Sequence, residues 1–119
     1  MDFIRKNAIK FLEKAEESYR RNEYNFAVFF AEQSLQLFLK YHIGKKYGEF
    51  PKTHSLKTLF ELTESKSLRS IYHENVDTVR ELELSYVASR YMDVEYSQKA
   101  AWKCIELVKK VREVIESAP

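Results

Sequence analysis

Glycine and proline are scarce in this sequence. The 119-residue chain contains two glycines and two prolines. Because tight turns depend on these residues, few turns are expected, which argues against many short strands and favours long helices with few connections. Two glycines also exclude a P-loop and a Rossmann dinucleotide fingerprint, since both need several glycines for the backbone to approach a phosphate closely.

Potential metal ligands and disulfides are equally rare. Cys104 is the only cysteine, so no internal disulfide and no zinc finger can form. The histidines, His42, His54 and His73, are too scattered for a short-spaced zinc motif. We therefore expect no metal and no cofactor. Because Cys104 falls on the apolar face of the last predicted helix, we expect a small core residue and not a nucleophile.

Long apolar runs are absent, and the charge is nearly balanced. No run approaches the ~20 residues that a membrane span needs. Without a signal-like start, and with a single cysteine, the expected compartment is the cytoplasm. A net charge of +2 predicts neither nucleic-acid nor membrane binding, so a basic site must come from local clustering. With 45% hydrophobic and 14% aromatic residues, the composition predicts one folded domain over residues 1–119.

Hydrophobic periodicity predicts long amphipathic helices. The predicted helices cover about residues 3–19, 24–45, 68–86 and 97–115, with a short helix starting near 56. The polar "HEN" at 73–75 marks a kink or split. The pattern predicts an all-α fold, an up-and-down four-helix bundle with one short extra helix.

The second predicted helix is apolar nearly all round, so it should be the most buried helix. Phe26, Phe29, Phe30 and Phe38 point in several directions on it. This is more apolar perimeter than one bundle can bury, and such a patch usually marks an interface. The sequence therefore predicts a twofold homodimer.

Polar residues interrupt this helix in "FFAEQSLQLFLKYHI". Glu32, Gln33 and Gln36 stand among apolar side chains. One interpretation is that they mark the solvent edge of the helix. The other is that Glu32 borders a polar cleft and holds an arginine from the facing helix end.

A second polar feature is "FPKTHSLKTL", at the start of the short helix. Thr53 or Ser55 can serve as its N-cap. Lys52, His54 and Lys57 lie close to helix amides that could hold an anion, so they are candidate phosphate-binding residues. Capping alone is the alternative explanation.

The third feature is "LSYVASRYMDVEYS", residues 84–97, which is interpreted as a connector between two helices. Arg90 within it needs a carboxylate or phosphate partner. Either it pairs with Asp93, Glu95 or Glu32 and fixes the turn, or it awaits a ligand phosphate with Tyr91 beside it to stack on a base.

These motifs together resemble the HEPN domains, small helical proteins with a proposed nucleotide-binding role. The resemblance covers nearly the whole chain. It rests on "AEQSLQLFLKYHI", a glycine and proline break, "PKTHSLKTLFEL", and "ASRYMD" before a last helix rich in Ala, Lys and Glu. Their order and spacing are more specific than any single piece.

The resemblance implies a helical bundle that pairs into dimers with a cleft at the interface. It also implies a partnership with a minimal nucleotidyltransferase in a toxin–antitoxin module. In the family's catalytic branch, an arginine followed after about four to six residues by a histidine cleaves RNA without metal, the histidine moving a proton and the arginine stabilising phosphate charge.

The sequence departs from that catalytic pattern. Arg90 occupies the arginine position, but Glu95, Tyr96 and Ser97 stand where the histidine belongs. The nearest Arg–His pair, Arg69 and His73, lies in another helix. We therefore expect a non-catalytic or weakly catalytic subunit that binds nucleotide or RNA. The predicted site consists of Glu32, Lys52, His54, Lys57, Arg90, Tyr91 and Asp93.

Two alternatives stay open at this point. One is a metal-independent ribonuclease toxin with a degenerate active site. The other is a dimeric scaffold that binds no ligand.

Overall fold

The computed structural model describes residues 2–118, and these form six α-helices and no strand. The helices are α1 (Asp2–Arg20), α2 (Tyr24–Tyr47), α3 (Leu56–Leu62), α4 (Lys66–Glu74), α5 (Val76–Tyr91) and α6 (Gln98–Ser117). The all-α prediction is confirmed. The bounds of α1, α2, α3 and α6 lie close to those that the hydrophobic period predicts.

The helical region predicted over residues 68–86 is two helices, split at the "HEN" of residues 73–75 as the sequence indicated. Asn75 separates α4 from α5 with a non-helical φ of −135° and ψ of 33°. Its side-chain amide donates to the carbonyl of Ile71 at 2.8 Å and so satisfies a carbonyl at the end of α4. The fold therefore has six helices where the periodicity predicted four long ones and one short one.

A correction concerns the stretch interpreted as a connector. Helix α5 continues to Tyr91, so the connector to α6 is only residues 92–97. Ser85 and Ala88 are fully buried on the inner face of α5. These small residues lack the large apolar side chains that make a helical period visible, so the predicted helix ends too early. Arg90 therefore lies in the last turn of a helix.

Helix α2 occupies the centre of the fold, as predicted. It packs against α1, α3, α5 and α6, and eleven of its residues are buried, more than in any other helix. Phe38 is completely buried, so it is not part of an exposed patch. Cys104 lies in the same core, as predicted, and burial raises the pKa of its thiol to about 12.

Three helix ends are capped, and Ser55 is the one of the two predicted N-cap candidates that caps α3. Ser55 Oγ accepts the amide of Thr58 at 3.2 Å, and Ser97 Oγ accepts the amide of Ala100 at 3.0 Å. Gly48 ends α2 with a φ of 85°, a left-handed conformation that glycine adopts without strain. Ser55 and Ser97 thus fix where α3 and α6 begin, and Gly48 fixes where α2 ends.

Asn25, in the first turn of α2, fixes the connector between α5 and α6. Its side-chain amide donates to the carbonyl of Val94, and its side-chain oxygen accepts the amide of Tyr96 at 2.9 Å. The hydroxyl of Ser89 donates to the Asn25 carbonyl at 3.3 Å. One asparagine thus holds the segment that follows Arg90 against the start of α2.

Asn25→Ala is expected to lower the free energy of unfolding by about 1–3 kcal/mol, because two side-chain hydrogen bonds to the connector are lost. Urea unfolding followed by circular dichroism measures this change. Asn7→Ala, at an exposed position on α1, is the control and should change stability by less than about 0.5 kcal/mol. Equal stability of the two variants would show that Asn25 does not fix the connector.

Candidate functional site

Two polar rows of side chains lie on neighbouring helices. Glu32, Gln36 and Lys40 recur at every fourth position of α2, which places them on one face. Helix α5, which packs against α2, carries Tyr86 and Arg90 with the same spacing. The two rows are joined by the loop before α3, as the contacts of its histidine show.

His54 on that loop contacts both helices. Its Nδ1 lies 3.1 Å from Oε1 of Gln36 on α2. Its ring stacks on Tyr86 of α5, with centroids 5.9 Å apart and planes 19° from parallel. His54 is itself exposed. It therefore lies at the surface where α2, α5 and the loop meet.

Glu32 lies beneath this surface, with 1% of its area exposed. Its carboxylate accepts the side-chain amides of Gln33, at 2.7 Å, and Gln36. The pKa of this carboxyl is raised from 4.5 to about 7, mainly by burial and also by nearby Glu83, although the two amides and Lys40 lower it.

The solvent-edge interpretation of Glu32 and Gln36 is therefore wrong, since both are buried. Within residues 2–118, the side-chain partners of the Glu32 carboxylate are two glutamines, and no arginine bonds to it. Glu32, Gln33 and Gln36 thus form a hydrogen-bonded network on the central helix α2.

Arg90 is exposed and is held by its own helix. Its Nε donates to the carbonyl of Tyr86 at 2.8 Å. The guanidinium carbon lies 4.4 Å from the ring centroid of Tyr86 and 5.0 Å from that of Tyr91, both within cation–π range. Its two terminal amino groups form no hydrogen bond and no ion pair with any other residue between positions 2 and 118.

The local pairing of Arg90 with Asp93 or Glu95 does not occur in the structure. Because α5 continues to Tyr91 and Met92 is extended, with φ −124° and ψ 150°, the two acids follow in a different direction from the helix. Tyr91 lies beside Arg90 and is 76% exposed. Asp93 is exposed and is not brought against Arg90 by any hydrogen bond in the described part of the chain.

The start of α3 already has protein acceptors. The amide of Lys57 donates to a carboxylate oxygen of Glu83 at 3.1 Å, and the amide of Thr58 donates to Ser55. A phosphate there would have to displace Glu83, and α3 is only seven residues long. The side chains of Lys52 and Lys57 are exposed, and no ion pair within residues 2–118 involves them. Their role in phosphate binding stays a prediction.

Of the predicted site residues, the structure joins Glu32, His54, Arg90 and Tyr91. The residues that join them, Gln36 and Tyr86, were not among the candidates. The sequence does indicate both residues by their spacing. Gln36 follows Glu32 by four residues and Arg90 follows Tyr86 by four, so each pair lies on one face of its helix.

Residues 2–118 contain neither a candidate metal site nor a helix that could span a membrane. No cluster of three or more His, Cys, Asp or Glu residues between positions 2 and 118 could hold a metal ion. None of the six helices has the length and apolarity to cross a membrane.

The fold and the site define an all-α protein with an arginine, two tyrosines and a histidine grouped at the end of one helix. The chain belongs to the HEPN family: a sequence model described as "HEPN domain" matches residues 1–118. Searches of curated proteins and of solved structures find no match. The resemblance seen in the sequence is confirmed, and it supports a function related to nucleotides or RNA in general.

Glu32 should make stability depend on pH. Because its folded pKa of about 7 lies above the ordinary 4.5, the stability it contributes is present below pH 4.5 and is lost as pH rises through 7. The unfolding free energy of the wild type relative to Glu32→Gln should therefore fall with rising pH, by on the order of 3 kcal/mol. Urea titrations at a series of pH values measure this difference.

Glu13→Gln, an exposed position on α1, is the matched control and should follow the wild-type pH curve. Parallel curves for wild type and Glu32→Gln would contradict the raised pKa.

Proposed function

We propose that this chain is a HEPN subunit that binds the phosphate of a nucleotide or of RNA at Arg90. The proposal rests on how the Arg90 side chain is held. Arg90 is oriented by one backbone hydrogen bond and two aromatic rings, and its terminal amino groups are left without a partner in residues 2–118. Guanidinium groups bind phosphate oxygens through two parallel hydrogen bonds, and this geometry leaves both amino groups for that purpose.

The neighbouring side chains suit the rest of a nucleotide. Tyr91 offers an exposed ring on which a base can stack, an interaction that tolerates any base. His54 lies against the Tyr86 ring that also carries Arg90. Glu32 is too buried to touch the ligand directly, so its role is to support the site from within.

Binding is proposed over cleavage because no histidine follows Arg90 at the family's spacing. A metal-independent ribonuclease is the alternative function. The observation that favours it is His54, whose ring stacks on the same tyrosine as Arg90 and which could move a proton.

Assembly forms a further part of the proposal. Phe26 is 54% exposed and stacks on Phe30, which in turn stacks on Phe11, so α1 and α2 share an aromatic surface. We assign this surface to a twofold homodimer. The alternative in which the dimer is a scaffold without ligand predicts the same assembly and no binding.

The proposal also covers the helix arrangement, the partner and the compartment. The contacts among α1, α2, α5 and α6 suit an up-and-down arrangement of the four long helices. A minimal nucleotidyltransferase partner and a toxin–antitoxin role rest on the resemblance to the family. The cytoplasm is proposed from the single cysteine.

Arg90→Ala should weaken binding of a fluorescein-labelled single-stranded RNA by about tenfold or more, because a charge-assisted phosphate contact is lost. Fluorescence anisotropy measures the dissociation constant. The melting temperature of the same preparation should change little, since no carboxylate in the described chain loses a partner and an exposed cation–π contact contributes about 0.5–1 kcal/mol.

The control is Arg80→Ala, an exposed arginine on the same helix whose contact with Asp77 is long at 3.8 Å. It should bind RNA as the wild type does. A large fall in melting temperature for Arg90→Ala with RNA affinity unchanged would identify a structural clamp. RNA turnover by metal-free wild type would favour the ribonuclease.

Light scattering should give twice the chain mass of 14.2 kDa at micromolar concentration. Phe26→Lys should give a monomer, because it places a charge on the aromatic surface. Phe50→Lys, at an exposed position between α2 and α3, is the control and should stay dimeric. A monomeric wild type would reject the dimer.

A further inference from the structure

A continuous line of hydrogen bonds leads from the interior to the surface of the candidate site. It begins at the carboxylate of Glu32, passes through the side-chain amide of Gln36, and ends at Nδ1 of His54. Glu32 and Gln36 are buried, whereas His54 is exposed. The line therefore connects a buried carboxylate with a surface histidine that stacks on Tyr86, the ring that Arg90 also contacts.

The chemistry of these groups sets the direction of each hydrogen bond. An ionised carboxylate only accepts, so Gln36 must turn its NH₂ toward Glu32. The amide oxygen of Gln36 then faces His54 at 3.1 Å and can only accept. Nδ1 of His54 must therefore carry the hydrogen.

A neutral imidazole has one N–H donor and one acceptor nitrogen. If Nδ1 carries the hydrogen, Nε2 has none and is an acceptor. A histidine side chain free in water prefers the opposite tautomer, with the hydrogen on Nε2. The network therefore selects a form of His54 that the isolated side chain does not prefer.

We infer that Glu32, acting through Gln36, is a positioning residue that holds neutral His54 as the Nδ1–H tautomer and presents Nε2 as an acceptor at the surface beside Tyr86, the ring that Arg90 also contacts. The consequence for the ligand rests on the proposed function. An acceptor that shares a tyrosine with a phosphate-binding arginine suits a ligand with both a phosphate and a hydroxyl donor, as in a ribonucleotide.

The charged groups around Glu32 define the conditions for a test. Lys40 on α2 favours the ionised carboxylate, while Glu83 on α5 opposes it. The Glu83 carboxylate accepts the Lys57 amide at the start of α3. Because the pKa of Glu32 is raised to about 7, the direction of the hydrogen bonds is fully set only well above that pH. Measurements at about pH 9 satisfy this condition.

Long-range proton–nitrogen NMR of the labelled full chain distinguishes the two tautomers. The His54 signals are assigned by their loss in His54→Gln. We expect a protonated Nδ1 and an unprotonated Nε2 in the ligand-free wild type at about pH 9. A protonated Nε2 would overturn the inference, and this result is read from the wild type, since His54→Gln serves only to assign the signals.

Two glutamine variants separate positioning from general effects on Glu32. Gln36→Leu breaks the line to His54, so the tautomer should revert to Nε2–H. Gln33→Leu also removes a donor from Glu32 but does not touch His54, so it should keep the wild-type tautomer. An unchanged tautomer in Gln36→Leu would overturn the inference.

Binding of the labelled single-stranded RNA at the same pH gives an independent result. Gln36→Leu should weaken it by about tenfold, the upper size of one hydrogen bond, and Gln33→Leu by less than about twofold. A wild type that shows the Nδ1–H form but binds no RNA would reject the proposed function and keep the positioning role. RNA binding that depends on Arg90 with a protonated Nε2 would do the reverse.

Discussion

The buried carboxylate of Glu32 is the constraint on which the site depends. A carboxylate removed from water is very costly unless hydrogen bonds replace its solvation. Gln33 and Gln36 supply these bonds from the same helix, so the side chains of three polar residues of α2 are tied to one another. Because Gln36 is then oriented, the loop before α3 is held through His54, and its ring meets Tyr86 on α5. One buried carboxylate is thus linked through Gln36, His54 and Tyr86 to the surface around Arg90.

Close packing of the helices requires that other interior polar groups also be satisfied. Ser34 on α2 donates to the carbonyl of Ala8 on α1 at 2.7 Å, and Ser85 donates to the Leu82 carbonyl of its own helix at 2.6 Å. Throughout residues 2–118, no buried side-chain nitrogen or oxygen lacks a hydrogen-bond partner. Small hydroxyl residues therefore allow α1 and α5 to approach α2 without leaving costly unpaired groups.

The periodicity of the sequence predicts the fold well where the residues are large and apolar. The bounds of α1, α2 and α6 and the burial of Cys104 follow from such spacing and from caps such as Ser97. The end of α5 does not, because its buried positions hold Ser85 and Ala88. The site is harder to predict. Its contacts join positions as distant as 36, 54 and 86, and a single sequence gives no measure of such distances.

Chemical-shift mapping is the most direct test of RNA binding at Arg90, because it shows where RNA contacts the protein without altering any residue. The amide and side-chain signals of labelled protein are followed while a short single-stranded RNA is added. If RNA binds at Arg90, the largest shifts occur at Arg90, Tyr91, Tyr86 and His54. The exposed indole of Trp102 on α6, which lines a separate surface groove, should stay unchanged. Shifts confined to the Trp102 groove, with Arg90 and His54 unaffected, would show that RNA does not bind at Arg90.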